Sequence, residues 1–292
     1  MDFEKICIIC GKKQKLKFKY KGYHYYRCQS CGLLSTYPLP ESSTIEKHYF
    51  QGFDEGNYQL LQRYIKHYIS VYEKFVRIIE GRLRLNNRNL EGLRVLDVGC
   101  FTGDLLELLK DKGADVYGLE LQSRALEVAN QKLPGRVFKA DIYSNDLPQF
   151  KFDIITMLGL IEHVIDPIGL LKRSSQLLKR GGIMVIQTPN SACLLSKILG
   201  RYWPPYAPVE HIHLFSKKSL YQILCEHNFK NITFKQHWKK LPVAYVYAMS
   251  ETFGPEFYKL FEPFYKILPG FIVNRDLPFY VGEIIALATK DG

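Results

Sequence analysis

The sequence lacks the two kinds of segment that direct a chain into or across a membrane. Met1 is followed by a mixture of acidic, aromatic and basic residues instead of a basic stretch and an apolar run, so we expect no secretory leader. No window contains the roughly 18 uncharged apolar residues that a spanning helix requires. We therefore predict a cytoplasmic protein without a transmembrane segment, in which the seven cysteines are reduced.

Acidic residues are scarce relative to basic ones. The 292 residues include 40 Lys and Arg against 29 Asp and Glu, a formal net charge of +11. Such a charge suits a nucleic acid, an anionic lipid surface or a phosphorylated substrate. The surplus is uneven, because residues 1–31 hold eight basic residues against two acidic ones. More than half of the excess positive charge therefore lies in this short N-terminal segment.

Four of the seven cysteines form two C-x-x-C pairs in the same segment, Cys7 with Cys10 and Cys28 with Cys31. This spacing matches a structural zinc site, in which two knuckles complete a tetrahedron of thiolates. A glycine follows each pair, where a knuckle often needs a positive φ. We assign residues 1–37 to a zinc-ribbon module, called the N-terminal module below. The alternative is that the four cysteines are buried or disulfide-bonded.

The N-terminal module also interleaves aromatic and basic residues, in YKGYHYYRC. Such a pattern can form a platform for nucleic acid. A mini-domain held by a metal and decorated with solvated lysines would have the same composition. We favour the second interpretation, because the residues with catalytic chemistry lie elsewhere.

Residues 38–90 are predicted to be a linker followed by a helix that covers a cleft, since apolar residues recur at helical spacing from Tyr58 to Leu83. From Leu93, strand-like runs alternate with single helix-like runs. This alternation indicates βαβ units and a doubly wound, Rossmann-like α/β fold in residues 91–292. We expect strands at 93–98, 115–121, 136–141, 152–158 and 182–188, and helices at 103–113, 123–133 and 166–182.

The alternation stops in an aromatic, proline-containing segment at residues 237–276, ahead of a closing strand at 277–290. We predict a helical insertion there. It could be a substrate lid, the surface of a homodimer or a peripheral membrane contact. Its small net charge does not require a membrane.

Glycines and carboxylates gather where the predicted strands end. A turn from Asp97 to Gly103 follows the first strand, Glu120 ends the second and Asp141 follows the third. Ligands of such sheets bind beyond the carboxyl ends of the strands. Glycines let a ligand approach the backbone, Glu120 can accept from both hydroxyls of a ribose, and Asp141 can accept from an adenine amino group. We therefore predict an adenosine-bearing cofactor, and we expect the Glu120 carboxylate to be exposed.

The combination of VLDVGCFTG, Glu120, Asp141 and IEHVIDP resembles the class I S-adenosylmethionine-dependent methyltransferases over residues 90–230. A dinucleotide enzyme would have GxGxxG, whereas Phe101 stands here where these methyltransferases usually have a middle glycine. The resemblance implies that S-adenosylmethionine lies across the end of the first strand. The residues that would bind it are Asp97, Gly99, Cys100, Phe101, Gly103, Glu120, Leu121, Asp141, Ile142 and Met157.

The whole chain, with its CxxC pairs ahead of this domain and EHIHLFSKKSL after it, is similar to bacterial zinc-ribbon methyltransferases linked to surface sugars and secondary metabolites. This similarity implies a structural zinc in addition to S-adenosylmethionine. It also implies a small-molecule acceptor.

Methyl transfer to a hydroxyl needs a general base, a role that histidine fills near neutral pH. His163 follows Glu162 after the fourth strand and faces the expected cofactor; the alternative is that this pair only starts a helix and holds the loop. The second candidate is His211 in RYWPPYAPVEHIHLFS, whose aromatic residues could stack on an acceptor or cover the edge of the core. We expect His213 to be packed and hydrogen-bonded. In related quinone O-methyltransferases the loop after the fourth strand has the pattern ExxEH and can support a metal. In this sequence Gly159 stands at the position of the first acid, which argues against a catalytic metal.

The leading prediction is a methyltransferase that O-methylates a small hydroxylated acceptor, namely a sugar or a nucleotide- or lipid-linked sugar. An RNA methyltransferase that binds RNA through the ribbon is one alternative, although the loop MLGLIEH lacks the NPPY-type turn of many enzymes that methylate base amines. A non-catalytic zinc-ribbon binding protein is the other, and the presence of Glu120 and Asp141 speaks against it.

Overall fold

The computed structural model of the chain describes residues 4–41, 43–45, 65–144, 147–148, 150–253 and 255–291. Its strands are β1 (Lys5–Ile6), β2 (Lys13–Tyr20), β3 (Tyr23–Cys28), β4 (Leu34–Tyr37), β5 (Arg94–Val98), β6 (Asp115–Leu119), β7 (Val137–Phe138), β8 (Phe152–Leu158), β9 (Leu178–Pro189), β10 (His213–Leu214), β11 (Phe229–Gln236), β12 (Lys239–Pro242), β13 (Asp276–Phe279) and β14 (Glu283–Lys290). Its principal helices are α1 (Ile65–Arg84), α2 (Asp104–Lys110), α3 (Ser123–Lys132), α4 (Pro167–Leu177), α5 (Leu194–Leu199), α6 (Lys217–Glu226), α7 (Val243–Phe253), α8 (Pro255–Ile267) and α9 (Gly270–Val273).

The N-terminal module is an antiparallel sheet in which β1 to β4 pair in sequence order. A fifth strand, β10, comes from far along the chain. In this strand His213 pairs with Ser35, and Leu214 pairs with Leu34. The sheet of the N-terminal module is therefore completed by a segment of the larger domain.

The larger domain is built on a seven-stranded sheet with the order β11-β14-β9-β8-β5-β6-β7. Strands β5 to β9 run parallel, while β14 is antiparallel to both β9 and β11. The predicted doubly wound, Rossmann-like α/β fold is confirmed.

Successive residues of the inner strands pack on opposite faces of this sheet. Val95 and Ile154 belong to a hydrophobic cluster that includes residues of α1 and α2. Their neighbours Leu96 and Ile155 belong to a second cluster, which includes residues of α4 and α6 and three of the four CxxC cysteines. Burial on both faces explains why these strands are continuous apolar runs in the sequence.

Several element boundaries differ from the predictions; for example, α2 ends at Lys110 instead of residue 113, and β7 spans only Val137–Phe138. Helix α4 ends at Leu177 instead of residue 182, because Leu178 already pairs with Phe152 in the sheet. The closing strand is divided into β13 and β14 by a turn at Gly282, whose φ is 93°. The helix predicted from Tyr58 is seen as α1, and residues 58–64 lie outside the described residues.

Strand β11 was not predicted from the sequence. It lies at the edge of the seven-stranded sheet, where it pairs with β14. Most of its side chains are half-buried or exposed, so its sequence FKNITFKQ carries little of the apolar signal by which buried strands are found.

Residues 237–276 contain β12 and the helices α7, α8 and α9, followed by β13, which pairs with β12. Tyr247 of α7 stacks on Tyr265 of α8 with ring centroids 3.7 Å apart. Among the described side chains of this segment, four large apolar ones are exposed: Trp238, Phe264, Ile267 and Phe271. In the described ranges we find no helix that is long and apolar enough to cross a membrane.

Candidate active site

The turn after β5 has an unusual backbone. Gly99, Phe101 and Gly103 all have a positive φ, of 74°, 50° and 75°. The N–H groups of Gly99 and Cys100 both donate to the carbonyl of Leu119, at 2.9 and 3.0 Å. The turn therefore folds over the end of the neighbouring strand β6, and its backbone lies at the carboxyl edge of the sheet.

The two glycines of this turn have different neighbours. A Cβ on Gly103 would lie 3.3 Å from the Cβ of Ala129 in α3, so Gly103 allows the start of α2 to pack closely on α3. A Cβ on Gly99 would lie 3.3 Å from Cδ1 of Leu160 in the loop after β8. Gly99 is thus the one that keeps space open between the turn and that loop.

A third glycine, Gly118 in β6, was missed by the sequence analysis. A Cβ there would lie 2.6 Å from Sγ of Cys100 and 2.8 Å from Cδ1 of Leu106. Gly118 therefore makes room for the buried Cys100 side chain beneath the turn. The signal that could have found it is an isolated glycine within a strand pattern, which indicates close approach of a neighbour.

The expectation that the Glu120 carboxylate is exposed is wrong, because Glu120 is only 1% exposed. Its Oε2 accepts a hydrogen bond from the N–H of Phe101 at 2.9 Å, and its Oε1 accepts one from the N–H of Gln122 at 2.7 Å. Glu120 thus holds the glycine turn in place as well as being a candidate ligand of the cofactor.

Asp97 lies one layer deeper, at the end of β5, and is 3% exposed. It accepts a hydrogen bond from the hydroxyl of Thr156 at 2.5 Å. Burial raises the pKa of Asp97 to about 7, the Thr156 hydrogen bond partly opposes this, and the nearby charge of Glu120 adds to it. Asp97 is therefore placed to change its protonation near neutral pH.

The remaining candidates for the cofactor site are spread along the same edge. Asp141 is exposed after β7, and its Oδ1 accepts from the N–H of Tyr143 at 2.9 Å. Leu121 is 47% exposed, whereas Ile142 is buried. Because β5, β6 and β7 are neighbouring parallel strands, the Asp97–Gly103 turn, Glu120 and Asp141 share one edge of the sheet. We call the Asp97–Gly103 turn, Glu120 and Asp141, together with Leu121 and Ile142, the cofactor half of the site. Met157 lies in the next strand, β8, with its side chain fully buried in the core.

The loop after β8 and the loop before β10 meet at this edge. The N–H groups of Ile212 and His213 donate to the backbone carbonyl of Glu162, at 2.8 and 3.2 Å. The ring centroids of His163 and His211 are 4.8 Å apart. One ligand atom from each of Glu162, His163 and His211 can be chosen so that all lie within 4.8 Å of one another. We call these three residues the acceptor half of the site.

Glu162 is a buried carboxylate, 2% exposed. Its Oε2 accepts from the hydroxyl of Thr188 at 2.9 Å, and its Oε1 lies 3.9 Å from Nε2 of His163. Burial raises the pKa of Glu162 to about 7, and the proximity of His211 opposes that rise. A protonated imidazole beside Glu162 would therefore be stabilised by this carboxylate.

The tautomer of His211 follows from its hydrogen bond. Its Nδ1 lies 2.7 Å from the carbonyl oxygen of Pro205, and a carbonyl can only accept. Nδ1 therefore carries the proton, which leaves Nε2 of the neutral ring as an acceptor. The arrangement can act as a general base. It can also hold a metal ion, because His211 supplies a third donor in place of the acid that is missing at Gly159.

His213 is packed and hydrogen-bonded, as the sequence predicts. It is 2% exposed, with Nδ1 3.0 Å from the hydroxyl of Ser35 and Nε2 3.3 Å from the carbonyl of Ile165. Burial lowers the pKa of His213 to about 4, so the ring is neutral. It joins the N-terminal module to the loop that carries Glu162 and His163.

The aromatic residues of the proline-rich loop divide between the two roles considered for them. Trp203 and Tyr206 are buried in a cluster with Tyr25 and Leu34, and Trp203 donates to the carbonyl of Val281 at 2.9 Å. They cover the edge of the core. Tyr202 is 47% exposed and is the member of this group that remains accessible to an acceptor.

The four CxxC cysteines converge. Sγ of Cys7 lies 3.5 Å from that of Cys31, Sγ of Cys10 lies 3.3 Å from that of Cys28, and all four sulfurs lie within 4.8 Å of one another. A tetrahedral zinc with bonds of about 2.3 Å would place its sulfurs about 3.8 Å apart. The residues present therefore fit a zinc ion.

The two knuckles have the same backbone geometry. The glycine after each pair, Gly11 or Gly32, has a positive φ, of 65° or 81°, and donates to the first cysteine's carbonyl at 3.0 Å. In the second knuckle the N–H of Cys31 also donates to Sγ of Cys28 at 3.5 Å. The expected positive φ at both glycines is confirmed.

Comparison with known proteins assigns the family. A family model described as a methyltransferase domain matches residues 68–233, which is more than half of the chain. The chain belongs to this methyltransferase family. The match includes the cofactor half and the acceptor half of the site. The resemblance that the sequence motifs indicate is thereby confirmed at the level of the family.

Curated relatives of this methyltransferase match over a shorter region. One is a ubiquinone biosynthesis O-methyltransferase of Leptothrix cholodnii, 36% identical over 109 residues, which are 35% of this chain and 46% of the relative. Another, of the same name, from Pelagibacter ubique, is 35% identical over 133 residues, which are 44% of this chain and 52% of the relative. The chain thus spans about half the length of the curated relatives it matches.

Solved structures show the same fold. The magnesium protoporphyrin IX methyltransferase of Synechocystis PCC 6803, solved with bound SAH, matches with a TM-score of 0.54 at 17% identity, over 86% of this chain and 100% of that chain. A Bacillus halodurans C-125 protein described as a methyltransferase matches with a TM-score of 0.52 at 18% identity, over 73% of this chain and 98% of that chain. The four CxxC cysteines lie outside the region matched by the family model, so the zinc assignment depends on their own geometry.

Proposed function

We propose that this protein is an S-adenosylmethionine-dependent methyltransferase that O-methylates a small hydroxylated acceptor, a sugar or a nucleotide- or lipid-linked sugar. The observation that carries the proposal is the meeting of two histidines and a buried glutamate at the sheet edge that also bears the glycine turn and Glu120. A site of this kind combines a place for the cofactor with a base for the acceptor. Membership of the methyltransferase family supports the first part.

In the cofactor half, each group would have a distinct task. The backbone of the Asp97–Gly103 turn would lie against the methionine end of the cofactor. Glu120, already aligned by the N–H groups of Phe101 and Gln122, would accept from the ribose hydroxyls. Asp141 would accept from the adenine amino group, with Leu121 and Ile142 beside the ring. When bound, the cofactor supplies a methyl group on a positively charged sulfur.

In the acceptor half, the base would be one of the two paired histidines. His211 is favoured, because the Pro205 carbonyl holds its Nδ1 proton and leaves Nε2 to accept a proton from the acceptor hydroxyl. Loss of that proton to Nε2 of His211 would make the acceptor oxygen a nucleophile for the methyl group that the cofactor supplies when bound. Glu162 would stabilise the imidazolium that results, and His163 would help to hold both in position.

The choice of oxygen as the methylated atom is supported by the curated relatives, which are named O-methyltransferases. The choice of a sugar follows from the similarity of the whole chain to zinc-ribbon methyltransferases linked to sugars. We propose a structural zinc on Cys7, Cys10, Cys28 and Cys31, which would hold the two knuckles of the N-terminal module together.

The test is a titration followed by a screen. Calorimetry should show binding of S-adenosylmethionine and no comparable binding of NAD. Transfer of a labelled methyl group should then be measured with nucleotide-sugars, a lipid-linked sugar, a hydroxylated quinone precursor and RNA. Labelling of the quinone precursor or of RNA alone would replace the proposed acceptor, and binding of NAD without S-adenosylmethionine would overturn the whole proposal.

A further inference from the structure

A cleft of about 680 Å³ lies between the N-terminal module and the start of α6. One wall is the second cysteine knuckle and the strand before it, including Arg27, Gln29 and Ser30. The opposite wall consists of Lys217 and Lys218, the first two residues of α6. Neither the cofactor half nor the acceptor half of the site contributes a residue to this cleft.

The charge lining the cleft has one sign. Arg27, Lys217 and Lys218 supply three formal positive charges, and none of the described residues that line the cleft is acidic. Within the part of the chain that the structure describes, no salt bridge joins any of these three side chains to a carboxylate. Three cations around one cleft without a counter-ion favour the binding of an anion.

The positive charges extend beyond the rim of the cleft. Lys15 in β2 lies directly opposite Arg27 in β3. Burial lowers the pKa of Lys17, and the positive charge of Arg27 lowers it further. Like charges placed opposite each other destabilise a sheet, so this arrangement costs stability that a bound anion would restore.

A zinc ion would not reverse this charge. Four thiolates and Zn²⁺ together carry a charge of −2. Residues 1–31 have eight basic residues against two acidic ones, so they stay clearly positive when the metal is bound. The sulfurs of Cys28 and Cys31 are also buried, each residue being no more than 1% exposed, and they face their partner sulfurs.

The geometry of the cleft suits phosphate oxygens. The guanidinium of Arg27 is a planar donor that can bind two of them, and each lysine adds a point charge. Asn190, which is 7% exposed, accepts from the N–H of Ala192 through its Oδ1 at 3.1 Å, so its amide NH₂ group is available to donate. Lys217 and Lys218 are positioned by Ser216, which closes a capping box with Ser219.

The cleft lies at the same edge of the seven-stranded sheet as the acceptor half, where the carboxyl ends of the parallel strands are. Asn190 comes directly after β9, whose carboxyl end lies beside that of β8, where the Glu162 loop begins. Ser216 is five residues after His211 and donates to the carbonyl of Cys31 at 2.8 Å. A single extended molecule could therefore occupy the cleft with one end and the acceptor half with the other.

We propose that this cleft binds the diphosphate group that carries the acceptor, an assignment that rests on the proposed function for the identity of that acceptor. The diphosphate could belong to a nucleoside diphosphate or to a lipid diphosphate. Both offer the same oxygens to Arg27, Lys217 and Lys218, and the groups attached to them differ.

The experiment is calorimetric titration of the full-length, zinc-loaded protein with inorganic pyrophosphate, without S-adenosylmethionine. The variant Lys217→Gln/Lys218→Gln should weaken binding about fivefold to thirtyfold, because it removes two exposed ion pairs. The matched control is Lys110→Gln/Lys112→Gln, which removes the same charge from exposed residues at the far end of α2. It should change binding less than about twofold.

Two results would overturn the proposal: equal weakening in both double variants, which would indicate a general effect of net charge, or no saturable binding below about 10 mM pyrophosphate. Titrations with uridine diphosphate and farnesyl diphosphate then distinguish a nucleotide carrier from a lipid carrier. A diphosphate that binds more tightly than pyrophosphate does so because the protein also recognises the group attached to it. These titrations involve no methyl transfer. If the cleft does not bind pyrophosphate, the titration with S-adenosylmethionine therefore remains a separate test of the proposed function.

Discussion

The cofactor half and the acceptor half of the site differ in how far along the chain their contacts reach. In the cofactor half, the N–H of Phe101 meets Glu120 across 19 residues. Beside the acceptor half, Ser35 meets His213 across 178 residues, in the sheet that joins the N-terminal module to the larger domain. The first half can form within two consecutive βαβ units, whereas the second depends on the docking of the N-terminal module. The two halves should therefore respond separately to mutation.

The largest expected effect separates chemistry from cofactor binding. His211→Ala should lower turnover by about 10²–10⁴-fold, since it removes the proposed base, and should leave S-adenosylmethionine affinity within a fewfold range. His163→Ala is the companion variant and should have the smaller effect. Turnover is measured with the acceptor that the screen identifies, and affinity by calorimetry. A larger loss in His163→Ala would transfer the role of base to His163, and unchanged turnover in both variants would exclude either histidine as the base.

The next variant tests whether the acceptor half depends on the metal. Cys28→Ser should release zinc, loosen the N-terminal module and lower turnover on the order of a hundredfold, because the loop with His211 loses its support. Binding of S-adenosylmethionine should persist. The matched control is Cys225→Ser, which changes an exposed cysteine outside the cluster. Full zinc content in Cys28→Ser would disprove the ligand assignment, and loss of cofactor binding would show that the two halves are not separable.

A third variant breaks the cofactor half instead. Glu120→Ala should weaken S-adenosylmethionine binding about tenfold to a hundredfold, because it removes charge-assisted hydrogen bonds to the ribose. It should also lower the melting temperature of the unliganded protein, since two backbone N–H groups lose their acceptor. Glu127→Ala, at an exposed position of α3, is the control for both measurements. Unchanged cofactor affinity would remove Glu120 from the binding site.

The last prediction concerns the pH dependence of stability that arises from Asp97, a buried carboxylate of the cofactor half. Burial raises the pKa of Asp97 from 3.8 to about 7, so the folded state binds a proton more tightly than the unfolded state. The stability that this group contributes is full below about pH 4 and is lost as the pH rises through about 7.

Asp97→Asn should therefore be relatively more stable than wild type at pH 8 than at pH 5, by a few kcal/mol. The free energy of unfolding in urea at the two pH values measures the difference, with Asp111→Asn at the exposed end of α2 as control. The same pH dependence in Asp97→Asn as in wild type would show that Asp97 does not titrate in this range.

Local signals made the cofactor half predictable. A strand, a glycine turn and a helix follow one another within Val95–Leu109, and acidic residues end the next two strands, so the edge could be located from the order of residues alone. The burial of Glu120 could not be found in this way. It depends on Phe101 adopting a positive φ that turns its N–H toward the carboxylate. The presence of a phenylalanine does not indicate that conformation.

Contacts between distant segments account for most of what the sequence left open. Glu162, His163 and His211 were each recognisable as candidates, but their meeting depends on hydrogen bonds from Ile212 and His213 to the Glu162 carbonyl. Those are backbone bonds, which no side-chain pattern encodes. Strand β10 was not predicted either, because a strand of two residues is too short to show a periodic pattern of apolar residues.

The pairing of β4 with β10 sets the order of events during synthesis. The N-terminal module leaves the ribosome first, yet its last strand follows 178 residues after Ser35. At about 5–20 residues per second, the edge of β4 waits about 10–40 s for its partner. During that interval β4 is paired on one edge with β3 and is open on the other, and such an open edge can pair with the same strand of a neighbouring nascent chain. Early capture of zinc would hold the knuckles closed during that interval, but it would leave this edge of β4 unpaired until β10 arrives.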